Sequence, residues 1–277
     1  MKNPLALLKR RWSGRDTVTV LRLEGVIGGS ARFGGATLPD AAVAPLLEAA
    51  FKRRPRAVAL VINSPGGSAA QSSLIAARIR RLADEKQIPV HAFIEDVAAS
   101  GGYWLATAAD RIHVDPNSIV GSIGVISASF GFNELLARNG IERRVHTAGE
   151  DKSMLDPFRP ERAEDIERLK RLQKVIHENF IAQVRARRGD RLVGDNLFSG
   201  EIWVGQGGVD AGLADGIGHL EPVMRAMFGT EVRFRRITPR RPFIRRLGLP
   251  GVGTAVGSVM AGIEERGLWA RYGLGAR

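Results

Sequence analysis

Two rhythms of apolar residues alternate along the chain. Residues 17–27, TVTVLRLEGVI, place apolar side chains at nearly every second position, the period of a strand with one face in a core. Residues 57–62, AVALVI, are apolar throughout, as in a strand buried on both faces. Helical spacing is predicted over 40–53 and about 69–86. PVHAFIEDVAAS then reads as a strand running into a turn, GGYWLATAAD as a helix, RIHVDP as a short strand and SIVGSIGVISAS as another strand region. FNELLARNG is predicted as a helix ended by Gly140, and IERRVHTAG as a strand. Residues 159–189 form a long amphipathic pattern, with Ile166, Leu169, Leu172, Val175, Ile176, Phe180 and Val184 at helical spacing and Gly189 at its end.

Strand, glycine turn and helix in repeated succession predict an α/β fold, a mostly parallel sheet with crossover helices. The pattern divides the chain into an N-terminal segment (1–16), one large domain (17–230) and a basic, glycine-rich C-terminal segment (231–277). The 277 residues are 44% hydrophobic and suffice for a sizeable core.

The net charge of +12 points to anionic partners. FKRRPR and RFRRITPRRPFIRR lack interleaved aromatics, so no nucleic acid is expected and an anionic membrane surface is the candidate partner. No cysteine is present, which removes a disulfide scaffold, cysteine-ligated zinc and a thiol nucleophile. No metal or cofactor is expected. MKNPLALLKRRW does not read as a signal peptide, and no run reaches the ~20 apolar residues of a membrane span. The nearest, Leu247 to Ile263, reads as a tail or docking segment. Arg240, Arg241, Arg245 and Arg246 lie beside it as partners for lipid headgroups. The expected location is cytoplasmic, with a peripheral position at the inner membrane as the extension of that reading.

Two strand-to-helix turns carry the candidate chemistry. In INSPGG (62–67), glycines let the backbone aim its N–H groups outward beside a helix start, where a developing oxyanion can be received. In AASGGYW, Ser100 stands at the second such turn, at the carboxyl end of a strand, where open α/β sheets form their clefts. A lone serine there is also a helix cap, so a base must be found to make it a nucleophile. None of the five histidines carries a motif that marks a base, and all five read as structural or surface groups. Lys152, in HTAGEDKSMLDPF, is the other option, because burial can lower a lysine toward neutrality.

Together these segments resemble the signal peptide peptidase A (protease IV) family. The resemblance rests on INSPGG, AASGGYWLATAAD, VGSIGV, GEDKSMLDPFRP and SGEIWVGQGGVDAGLADGIG, in the family's order across about residues 18–228. It implies a ClpP/crotonase-type fold and a serine endopeptidase acting on short or membrane-derived peptides such as signal-peptide remnants. Ser100 is then the nucleophile and Lys152 the base. Gly67 and Gly101 supply the oxyanion-hole amides, and Ser122 holds the lysine. The resemblance also implies a homo-oligomer, because short family forms complete their sites within a ring of subunits. Family members usually carry an N-terminal membrane anchor, for which no candidate run is found here. Two alternatives stand beside it: a crotonase-type acyl-CoA enzyme on the same fold, and a non-catalytic scaffold ring at a membrane.

Overall fold

The computed structural model describes residues 17–28, 37–149, 152–238 and 267–274. The expectations for residues 1–16 and for Leu247 to Ile263 with its flanking arginines lie outside them.

Three long strands form the middle of the sheet: β1 (Thr17–Glu24), β4 (Ala57–Ser64) and β5 (Val90–Ala99). A short pair, β2 (Val26–Ile27) and β3 (Thr37–Leu38), lies between β1 and β4 in the chain. Then come β6 (Arg111–Val114), β7 (Ile119–Gly121), β8 (Ile202–Val204), β9 (Gly216–Ile217) and β10 (Arg233–Ile237). The order is β10-β1-β4-β5-β6-β9, parallel at each step. β7 pairs with the end of β5 and turns antiparallel onto β8. The predicted α/β class with a mostly parallel sheet is the observed one.

Alternation within each strand sorts its side chains between two helical layers. Leu21, Leu23, Val58, Leu60, Ile62, Ala92 and Ile94 face α1 (Asp40–Phe51) and α2 (Ala69–Lys86) in the main core. Val18, Val20, Ala57, Ala59 and Phe93 face the other way, onto Met224 of α7 (Leu220–Phe228). The intervening helices are α3 (Gly101–Ala106), α4 (Asn133–Arg138), α5 (Ala163–Arg188) and α6 (Gln206–Asp210). α2 matches its predicted span, with Ser68 as N-cap accepting from the Gln71 amide. β10 adds a parallel edge strand beyond residue 230, built from RFRRI.

Two expectations fail, for one reason. IERRVHTAG forms no strand, and of SIVGSIGVISAS only Ile119–Gly121 enters the sheet. A strand needs a neighbour to take its hydrogen bonds, and these residues belong to an arm that leaves the sheet between β7 and β8. The arm closes on itself: Phe132 stacks obliquely on Phe130 and Phe158 (6.3 and 5.6 Å), and the Phe132 amide donates to the Pro157 carbonyl. None of α4 is buried, and Phe130 is 66% exposed. α5 is likewise divided. Phe180 and Val184 are buried, Phe180 stacking on Trp104 at 4.7 Å, whereas Leu172 and Val175 of the same stripe are exposed. Arg188, buried against Asp215 at 2.8 Å, fixes the inner end of α5.

The layer under α7 holds two histidines. His91 lies parallel to His113 and edge-on to Phe228, at 6.3 Å each. Among the described residues, His91 Nδ1 and His113 Nε2 have no hydrogen-bond partner. Burial, and then the neighbouring His113, push the His91 pKa down to about 4, and burial lowers His113 as well. The unfolded chain therefore binds protons from about pH 6.5 downward while the folded one does not, so stability is lost as pH falls from 6.5 toward 4. His91→Phe should flatten this slope by up to about 1.4 kcal/mol per pH unit, measured as the difference in urea-unfolding free energy between variant and wild type from pH 7 to 4.5. A parallel slope for both proteins would refute the assignment.

Candidate active site

The site begins with how the chain turns at the end of β4. Ser64 Oγ donates to the Gly25 carbonyl at 2.7 Å and accepts from the Gly66 amide. The buried Asn63 donates to Asp96 at 2.7 Å and accepts from the Val97 amide at 3.3 Å, where the β4–β5 register shifts. The turn then locks onto Ile27. The Ile27 amide donates to the Gly66 carbonyl, and the Ser68 amide to the Ile27 carbonyl, both at 2.8 Å. These two bonds bracket Gly67, which pairs with Ile27 as an isolated parallel bridge. Gly67 has φ 141°, and a Cβ there would strike the Ile27 backbone, so only glycine fits.

Ser100 approaches from the other side. It follows β5 and caps α3 with φ 52° and ψ −123°, a conformation that a non-glycine residue holds only when its surroundings impose it. The Ser100 amide donates to the Gly121 carbonyl at 2.9 Å, and its carbonyl accepts from the Trp104 amide at 3.0 Å. Gly66 lets the two turns meet, since a Cβ on it would lie 2.8 Å from Ser100 Cβ. The Gly67 nitrogen lies 3.4 Å from where a Gly101 Cβ would stand. Among the described residues, neither the Gly67 nor the Gly101 amide has an acceptor. Two unused donors thus converge beside one half-buried hydroxyl on a sharp strand-to-helix turn.

Ser122 closes the group. It has φ 51°, and its amide donates to the Glu201 carbonyl at 2.6 Å across the β7–β8 pair. Ser100, Gly67, Gly101 and Ser122 all line one cavity of about 730 Å³. Ser68, Ala69, Gly124 and Val125 line it too, so part of its wall is small and apolar.

Lys152 is not there. It sits exposed on a turn of the arm, its amide donating to the Gly149 carbonyl at 3.3 Å, and it does not line the cavity within this chain. Of the five expected site residues the structure brings four together and leaves the base outside. Other residues in the cavity were not anticipated. His177 lines it from α5, its Nε2 3.0 Å from the Ile123 carbonyl. Trp104 forms part of its floor, and Leu268, Arg271 and Tyr272 enter from the far end of the chain. Only the position of Trp104, four residues after Ser100, offered any signal for these. Among the described residues, no three metal-ligating side chains lie together.

Comparison with known proteins agrees with the geometry. The sequence model of peptidase family S49 matches residues 83–231, just over half of the chain. A protein of Brucella abortus named Na(+)/H(+) antiporter NhaA is 50% identical over 97% of this chain, which spans only 38% of that protein's length. Among the described residues, no helix is long and apolar enough to cross a membrane. The putative protease MJ0651 of Methanocaldococcus jannaschii is 30% identical over 76% of this chain and 70% of its own. The 1510-N membrane-bound stomatin-specific protease, solved with a substrate peptide, superposes with a TM-score of 0.52 at 17% identity, over 84% of this chain and 96% of its own. That likeness gives the ClpP/crotonase-type fold. By its matched segment, its fold and the relatives it aligns with, the chain belongs to peptidase family S49, the family of signal peptide peptidase A and protease IV.

Proposed function

We propose that this chain is a serine endopeptidase whose nucleophile is Ser100 and whose base is Lys152, brought to the cleft by a second copy of the chain. The observation that carries the reading is the constrained hydroxyl of Ser100 beside the two unused amides of Gly67 and Gly101. A neutral lysine amine takes the Ser100 Oγ proton as Oγ attacks the peptide carbonyl. The two amides receive the oxyanion, and the proton passes to the leaving amine. Water, deprotonated by the same amine, then adds to the acyl-serine and releases the carboxylate. Ser122 Oγ is the group that orients the amine.

The arm supports the contribution in trans. Ile126, Phe130, Leu135 and Ile141 are each more than half exposed along it, and Leu172 and Val175 on the outer half of α5. An apolar surface of this extent beside a cleft that lacks its base fits an interface between copies. Small apolar residues along the groove suit extended peptides with small side chains, such as signal-peptide remnants. The +12 charge, and a solved relative named membrane-bound, favour work at an anionic membrane surface on the cytoplasmic side.

Ser100→Ala and Lys152→Ala should each abolish cleavage of an extended reporter peptide. Mixed and reassembled, they should recover about a quarter of wild-type turnover, because random assembly pairs an intact serine with a neighbour's intact lysine in that share of sites. Recovery of nothing, with both variants normally assembled, would place the base elsewhere. Lys152→Arg should lose about 10²–10⁴ in kcat, since a guanidinium stays charged and accepts no proton. Full activity in Lys152→Arg, together with loss in His177→Asn, would transfer the role to the histidine in the cavity.

A further inference from the structure

The cleft beside Ser100 has a wall supplied by Gly267–Leu274. Trp269 anchors it. This side chain is 8% exposed and packs on Val97 and Ala99, which lie on β5 just ahead of Ser100 and are themselves fully buried. Ile119, Tyr272 and Leu274 pack around the same cluster. The Tyr272 hydroxyl then donates to Ser122 Oγ at 3.3 Å. The segment lines the cavity and does not fill it: about 730 Å³ stays open beside Ser100, and the tyrosine is bonded to Ser122, leaving the nucleophile uncovered.

The wall changes the charge of the cleft. Among the described residues lining it there is no carboxylate and no lysine, and Arg271 is the only permanent charge. Arg271 makes no ion pair among the described residues. A guanidinium on the rim of a small-residue groove is a planar fork of donors, suited to a carboxylate in two-point contact. No described residue lining the groove would repel that carboxylate.

We infer that Gly267–Leu274 is a working wall of the substrate cleft, and that Arg271 makes the cleft select peptides bearing a carboxylate near the bond presented to Ser100. The inference rests on the peptidase reading for where the peptide lies. The carboxylate has two chemical sources, an acidic side chain or the free C-terminus of a short peptide.

Binding without turnover separates these points. In the full chain carrying Ser100→Ala, affinity is measured by fluorescence anisotropy for three otherwise identical peptides. One has a glutamate and an amidated end, one a glutamine and an amidated end, and one a glutamine and a free carboxyl end. At low salt the glutamate peptide, the free-carboxyl peptide or both should bind about three- to tenfold more tightly than the neutral one, and which does so names the source. Adding Arg271→Gln should bring the affinity ratio to about one, and Arg271→Glu should invert it. Trp269→Ala, which releases the wall while keeping Arg271, should also collapse the ratio. Equal affinities for the three peptides, no binding of any of them, or a ratio that survives Arg271→Gln overturns the inference. Failure of the peptidase reading would show differently, as a wild-type Ser100 that no acylating probe labels while the affinity ratio stands.

Discussion

Ser100 holds backbone angles that cost free energy, and two things hold them: its own backbone bonds to the Gly121 carbonyl and the Trp104 amide, and a neighbouring turn that is itself bonded to Ile27. The Ile27 bonds fix the Gly66–Ser68 turn, and the turn presses on the residue after β5 closely enough that a methyl group on Gly66 would not fit. A strained φ of this kind persists only where its surroundings over-determine it, on the order of 1–3 kcal/mol being at stake. The surroundings here are the parallel β1–β4–β5 core, whose side chains are almost wholly buried. The core thus supports one local feature: two amides that, among the described residues, have no acceptor, beside one half-buried hydroxyl. Preorganisation of this sort lets donors act on developing charge without reorganising during the reaction.

The lines between rigid and exposed parts follow the chemistry. The residues to which the proposed mechanism gives fixed places, Ser100, Gly67, Gly101 and Ser122, stand at or beside the ends of paired strands. Lys152 stands on an arm that forms no strand among the described residues and that also carries the exposed Phe130, Leu135 and Ile141. α5 joins the two regimes. Its inner end is held by the buried Arg188–Asp215 pair, by Arg187 on the Thr107 carbonyl at 2.9 Å and by the Phe180–Trp104 stack. Its outer end carries exposed Leu172 and Val175.

Much of this was legible in the sequence where local signals sufficed. AVALVINSPGG followed by helical spacing specifies a buried strand, a glycine turn and a helix without outside information, and the structure forms them there. The Ser100 turn was legible for the same reason. What escaped was anything settled at long range. The pattern places His177 on a helix, but its place in the cavity depends on a long-range contact with the Ile123 carbonyl, 54 positions earlier. The amphipathic stripe of α5 gave the helix correctly yet not which half would be covered. IERRVHTAG has the composition of a strand but no neighbour to pair with, and period alone cannot supply one. Trp269 and Tyr272 stand in a segment with no motif, and only folding reveals what they touch.

That last contact has a consequence in time. Tyr272 lies 150 positions after Ser122, so the ribosome delivers the serine turn well before the residues that flank it. At common elongation speeds the interval is roughly eight to thirty seconds, long compared with the collapse of a small domain. During translation, then, the nascent chain would expose Val97 and Ala99 of β5 next to a preformed hydroxyl, and the groove would acquire its final outline only after Trp269 and Tyr272 have been made.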